Sequence, residues 1–235
     1  MLYWVVKAIV SPLLRLVCRV RVEGREHVPA DGPVILAANH RSFLDSMFIP
    51  LVVRRRVTFV AKAEYFDDPK TAWFFRGVGQ IPIRREGGSA SAGALAAAAD
   101  VLAAGGVFGI YPEGTRSPDA RLYRGKTGVA RMALEAGVPV IPCAMVNTHL
   151  IQPPGKVIPS VRRVRIAIGA PLDFSRYEGM SGDRFVLRSM TDEIMYALMQ
   201  LSGQEYVDMY AEKAKRLSAD AALLVEDPEP SHAAA

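Results

Sequence analysis

Two short polar segments hold the residue types best suited to chemistry. Asn39-His40-Arg41-Ser42-Phe43-Leu44-Asp45 follows the apolar run Pro33–Ala38, and Tyr111-Pro112-Glu113-Gly114-Thr115-Arg116-Ser117 ends the apolar run Val107–Tyr111. In the first, an aspartate lies five residues beyond a histidine. If His40 stands in a strand-to-helix turn and Asp45 in the first helical turn, the carboxylate reaches one imidazole nitrogen. It then fixes the tautomer and stabilises the imidazolium, leaving the other nitrogen to take a proton from an alcohol. The competing reading is a structural histidine beside an acid that stabilises a helix start. The second segment offers a carboxylate, a glycine, two hydroxyls and a guanidinium. Arg116 can grip a phosphate with two parallel hydrogen bonds, and Gly114 permits close backbone approach. The competing reading is an ordinary turn with a solvated arginine.

Three further cations, Lys62, Arg84 and Arg85, follow other apolar runs and face the same crevice if their strands are neighbours. Taken singly, each reads as a solvated surface charge. Ala120–Thr127 (ARLYRGKT) mimics a phosphate loop, but it lacks the glycine-rich turn between a buried strand and a helix that nucleotide binding needs. No GxSxG, HExxH, CxxC or dinucleotide GxGxxG occurs, and His27, His40, His149 and His232 lack metal-ligand spacing. Neither a metal nor a resident cofactor is expected. Cys18 and Cys143, far apart, build no disulfide framework. No aromatic-rich basic face points to nucleic acid.

The elements that must position these segments alternate along the chain. Strands are expected at Val20–Glu23, Pro33–Ala38, Val57–Ala61, Gln80–Arg84, Val107–Tyr111, Val138–Val146 and Val164–Ile168. Helices are expected at Ser46–Val53, Thr71–Gly77, Ala94–Ala104, Gly128–Ala136, Phe185–Ser202 and Glu205–Ser218. The alternation predicts an α/β domain with a mixed, mainly parallel sheet and helices on both faces. Ligands of such sheets bind beyond the carboxyl ends of the strands, where both polar segments emerge.

With 235 residues, 50% hydrophobic and 23% charged, the chain can bury a core and is not disordered throughout. Its net charge of +5 favours anionic partners. Lys7, Arg15, Arg19, Arg21, Arg25, Arg41, Arg54, Arg55 and Arg56 oppose Glu23, Glu26, Asp31 and Asp45 in the first sixty residues. Residues 1–20 are apolar but broken by Lys7, Arg15, Arg19 and Pro12, too interrupted for a confident membrane span. On a helix the cations share one side. Leu2, Val6, Ile9, Val10, Leu13, Leu16 and Val17 share the other, with Tyr3 and Trp4 placed for headgroup level. This predicts a helix lying in a membrane interface; packing on its own domain is the alternative. The expected organisation is an interfacial helix at 1–20, a domain at 21–218 and a disordered tail at 219–235.

In order and spacing, His40-x4-Asp45, Gly79–Arg85, Tyr111–Ser117 and Val138–Pro142 together resemble the 1-acylglycerol-3-phosphate (lysophosphatidate) acyltransferases and their glycerolipid acyltransferase relatives. The likeness spans about Val34 to Val146 and includes Ala61-Lys62-x-Glu64. It implies a glycerol-3-phosphate acyltransferase-like fold, with His40 as catalytic base and Asp45 as its partner. Arg85 and Arg116 would hold the acceptor's phosphate, with Lys62 as a helper, and Glu113, Gly114 and Thr115 would form the acceptor-binding loop. Val138–Pro142 would be structural or line the acyl chain. The implied donor is an acyl thioester, acyl-CoA or acyl carrier protein. The implied acceptor is lysophosphatidate or glycerol 3-phosphate, met at the cytoplasmic face of the cell membrane. A non-catalytic lipid-binding relative is the rival reading, and Ser42 or Cys143 as a covalent nucleophile the rival chemistry. One hydrophobic segment precedes the core, where some relatives have a two-helix membrane motif.

Overall fold

The computed structural model describes residues 1–84, 89–151 and 160–226. The chain opens with helix α1 (Leu2–Cys18), strand β1 (Arg21–Glu23), β2 (Val34–Ala38), α2 (Asp45–Val52) and β3 (Val57–Lys62). There follow α3 (Glu64–Asp67), α4 (Pro69–Gly77), β4 (Ile81–Ile83), α5 (Ser89–Ala103) and β5 (Val107–Ile110). The second half holds β6 (Leu122–Tyr123), α6 (Gly128–Ala136), β7 (Val140–Val146) and β8 (Arg165–Ile168). It closes with α7 (Arg184–Ser202), β9 (Tyr206–Val207) and α8 (Ala211–Glu226). Boundaries are written in side chains where capping is possible. Asp68 accepts from Lys70 N ahead of Pro69, and Asp183 accepts from Phe185 N and Val186 N.

Seven strands form one sheet in the order β1-β8-β7-β2-β5-β3-β4. Every pairing is parallel except β7 with β8. The central strand β2 is buried along its whole length, which explains its unbroken apolar run. Its side chains alternate between two cores. Val34, Leu36 and Ala38 join Cys18, Phe48, Ile49 and Val52 from α1 and α2. Ile35 and Ala37 join Ala98, Val129, Met132, Met190 and Ile194 from α5, α6 and α7. The result is a sheet between two helical layers, the α/β architecture that the alternation predicts.

Sequence and structure part in a few places. Glu205–Ser218 is not one helix: Tyr206–Val207 pairs with Leu122–Tyr123 as a small parallel sheet, and α8 starts at Ala211. Helix α8 runs to Glu226, beyond the expected end of the domain at residue 218, and residues 227–235 lie outside the described residues. The α1 helix departs from the expectation at Tyr3. Tyr3 is buried and not at headgroup level: its hydroxyl accepts from Val57 N at 3.1 Å and donates toward Arg55 O at 3.3 Å. Lys7 donates to Val53 O, and Ser11 Oγ donates to Leu51 O at 3.1 Å, so the polar edge of α1 meets the carbonyls at the end of α2. Burial, reinforced by Arg25 and Arg15, pushes the Lys7 ammonium down to about 8. The apolar side, with Trp4, Val5, Ile9, Leu13 and Leu16, is left exposed. No helix among the described residues is long and apolar enough to cross a membrane.

Candidate active site

Strands β2 and β5 are parallel neighbours, so the chain leaves both at the same edge of the sheet. From β2 it passes to α2 on one face; from β5 it passes to α6 on the other. The crevice between two such departures is the usual ligand site of an open α/β sheet. His40 and Tyr111 leave from it side by side, their rings stacked at 3.9 Å between centroids and 12° between planes.

Asp45 opens α2 and is fully buried. Its Oδ2 accepts from His40 Nδ1 at 3.0 Å, Arg41 N at 2.6 Å and Ser42 N at 2.7 Å. The backbone bonds fix the carboxylate, and the carboxylate fixes the imidazole, so Nε2 is the nitrogen left for the cavity that His40 lines. The same oxygen thus orients the histidine and fixes the loop that leads into α2.

The two polar segments are stitched together. Ser117 N donates to His40 O at 2.8 Å. Glu113, 1% exposed, accepts from His40 N at 3.1 Å and from Tyr123 N at 3.0 Å. Burial pushes its carboxyl up to about 7 despite those two donors. This corrects one expectation: Glu113 does not line the cavity and holds the Tyr111–Ser117 loop from behind. Gly114 takes φ +74°, a left-handed turn that favours glycine, with Lys126 packed at 3.0 Å from where a Cβ would stand. Asn39, which the sequence reading passed over, is the other anchor. Its amide exchanges bonds with Met145 N and O at 2.7 and 3.0 Å and reaches Gln204 at 2.6 Å. A lone amide ending a five-residue buried run was the available signal.

The cavity, about 560 Å³, has a mixed wall: Lys7, Lys62, Thr115, Arg116 and Lys215 line it together with Val6, Val10, Met47, Phe74, Phe75 and Val78. Arg116 is exposed, and Lys62 is a loose 4.0 Å partner of Glu64. Arg84 pairs with Asp67 at 3.5 Å outside the cavity lining, and Arg85 lies outside the described residues. Lys215, on α8, was not among the sequence candidates because α8 reads as an ordinary amphipathic helix. Val138–Pro142 is not among the residues that line this cavity and leads into the buried strand β7. Cys143 is fully buried, its thiol pushed up to about 12 by burial, and it is no nucleophile. Ser42 is buried with its Oγ accepting from Leu44 N at 3.3 Å. Among the described residues no group of three or more His, Cys, Asp or Glu is placed to hold a metal ion.

Comparison with known proteins identifies the family. A family model described as Acyltransferase matches residues 19–146. The chain is 31% identical over 160 residues to a chloroplastic 1-acyl-sn-glycerol-3-phosphate acyltransferase of Arabidopsis thaliana, covering 67% of this chain and 45% of that protein. A 1-acyl-sn-glycerol-3-phosphate acyltransferase of Bacillus subtilis is 26% identical over 188 residues, with 79% and 89% covered. The chain thus spans under half the length of the plant relative but most of the bacterial one. The crystal structure of the 1-acyl-sn-glycerophosphate (LPA) acyltransferase PlsC from Thermotoga maritima superposes with a TM-score of 0.63 at 28% identity, covering 83% of this chain and 80% of that one. The matched stretch holds both polar segments, the Asp45-held imidazole and the strands that bring them together: the chain belongs to the acyltransferase family.

Proposed function

We propose that this chain moves a fatty acyl group from an acyl thioester, on coenzyme A or acyl carrier protein, to the free hydroxyl of 1-acylglycerol 3-phosphate, making phosphatidic acid. One observation carries the reading: an imidazole held by a buried carboxylate lines a cavity whose wall carries both cations, Lys62 and Arg116 among them, and apolar side chains. Arg116, with Lys62 of the same lining as a helper, anchors the acceptor's phosphate and places its hydroxyl at His40 Nε2. His40 takes the hydroxyl proton as the oxygen attacks the thioester carbonyl. The O–C bond forms, the C–S bond breaks, and the proton passes from Nε2 to the departing thiolate. A thioester is already activated, so positioning and proton transfer suffice without a covalent intermediate or a resident cofactor.

The site would work at a membrane surface. The exposed apolar side of α1 suits the interface. Arg25 is held below its usual range by burial and then by Arg15 and Arg54, a mutually repelling set of cations beside α1. Such a surface suits an anionic cytoplasmic leaflet.

The test is thiol release from palmitoyl-coenzyme A by purified protein in detergent, with lysophosphatidate and glycerol 3-phosphate offered in parallel. The expected result is turnover of lysophosphatidate that His40→Ala abolishes without unfolding the protein. Turnover of glycerol 3-phosphate alone would reassign the acceptor, and full activity in His40→Ala would refute the base.

A further inference from the structure

We infer that Lys215 of α8 is a further cation of the acceptor's phosphate grip, supplied by a helix outside the family-matched residues 19–146. The inference rests on the proposed acceptor. Lys215 lines the same cavity as His40, Thr115 and Arg116. Its Nζ donates to Thr115 Oγ1 at 2.6 Å, which places the ammonium against the loop residue that precedes Arg116. That bond occupies a lone pair of the hydroxyl and leaves the Thr115 proton to donate. A cation and an oriented hydroxyl donor therefore meet at one point of the wall, a pairing that matches a phosphate oxygen.

The placement of Lys215 is built, not incidental. Ala211, Ala214 and Lys215 lie three and four residues apart, hence on one face of α8. The two alanines are buried against Tyr123, and their small side chains let the helix come close enough for the lysine to reach past them. Lys213 and Arg216, on the other faces, are exposed. The approach to α8 is pinned by the β6–β9 pairing, by Arg124 N donating to Met209 O at 3.0 Å and by the Lys126–Glu212 ion pair at 2.8 Å. Charge recognition would thus be assembled from two distant parts of the chain, the loop after β5 and the last helix.

The alternative is a strap: Lys215 holds α8 to Thr115 and touches no substrate. Lys215→Gln separates the two, because glutamine keeps a donor for Thr115 and loses the charge, and Lys215→Met removes both. Each is measured in the full chain beside Lys215→Arg, with melting as the control for folding. The expected result is a KM for lysophosphatidate raised about tenfold or more in the Gln and Met variants, an unchanged KM for acyl-CoA, and recovery in the Arg variant. Turnover of monoacylglycerol, the acceptor without phosphate, should not change. Titration of sn-glycerol 3-phosphate by calorimetry should show the same loss of affinity without any need for turnover. Equal losses with both acceptors, or an unchanged KM and unchanged titration, overturn the inference. If the wild-type protein turns over no acceptor, the acylation reading fails on its own, and the titration still decides the role of Lys215.

Discussion

Replacing Asp45 by asparagine isolates the charge that His40 leans on. All three donors of the site, His40 Nδ1, Arg41 N and Ser42 N, meet the same oxygen, Oδ2, while Oδ1 is buried without a partner. An asparagine amide therefore turns its oxygen to the donors and its NH2 group to the vacant side. The imidazole keeps its place and its tautomer, and what disappears is the negative charge facing the imidazolium of the transition state. With charge centres roughly 4 Å apart and an effective dielectric of about 20, that attraction is worth about 4 kcal/mol, or roughly a thousandfold in rate. Orphaning the new NH2 group would cost about 1–3 kcal/mol of stability. The assay is thiol release at saturating lysophosphatidate, with melting measured alongside. The expected pattern is kcat down by about three decades, KM for the acceptor little changed and a modestly lower Tm. A folded Asp45→Asn protein with kcat within tenfold of wild type would refute the reasoning and leave Asp45 with the helix-stabilising role alone.

Glu113 makes a pH-dependent prediction. Its folded pKa, about 7, lies above the ordinary carboxylate value because of burial. The stability associated with its proton is therefore complete below about pH 4.5 and is lost as pH rises to 7, a span of about 3 kcal/mol. The stability of wild type relative to Glu113→Gln should fall across that window in chemical denaturation, and a difference independent of pH would contradict the assignment. The outward face of α1 makes another. Ile9 and Leu16 are 64% and 79% exposed, so Ile9→Glu with Leu16→Glu should leave Tm within a few degrees while weakening flotation with anionic vesicles at least tenfold. Unchanged flotation would remove α1 from the membrane contact.

Much of this arrangement was legible because it obeys local rules. The seven strands of the main sheet were legible since most are short apolar runs closed by turn residues, β1 (Arg21-Val22-Glu23) being the exception. The two polar segments met as expected because β2 and β5 turned out to be neighbours. What escaped depends on tertiary contact. Leu122–Tyr123 and Tyr206–Val207 are strands of two residues, too short to carry a period, and form because each supplies the other's partner. The burial of Tyr3 escaped because an aromatic near a helix start suits a headgroup layer equally well, while the apolar side of α1 stayed exposed as expected. Only the carbonyls at the end of α2 decide that Tyr3 and Lys7 turn inward. Glu113 was expected at the acceptor only through the family resemblance, whereas here two backbone N–H groups take its carboxylate inside.

The stack of His40 on Tyr111 constrains the order of events under the proposed reading. Tyr111 covers one face of the imidazole and itself stacks on Phe59 at 5.3 Å, while Asp45 holds the far edge. The ring cannot swivel to collect a proton in one place and deliver it in another. Hydroxyl and thiolate must therefore share the single remaining edge, and both substrates must be resident before either product departs. Kinetics would be sequential, with no acylated enzyme to trap and no ping-pong pattern in the double-reciprocal plots.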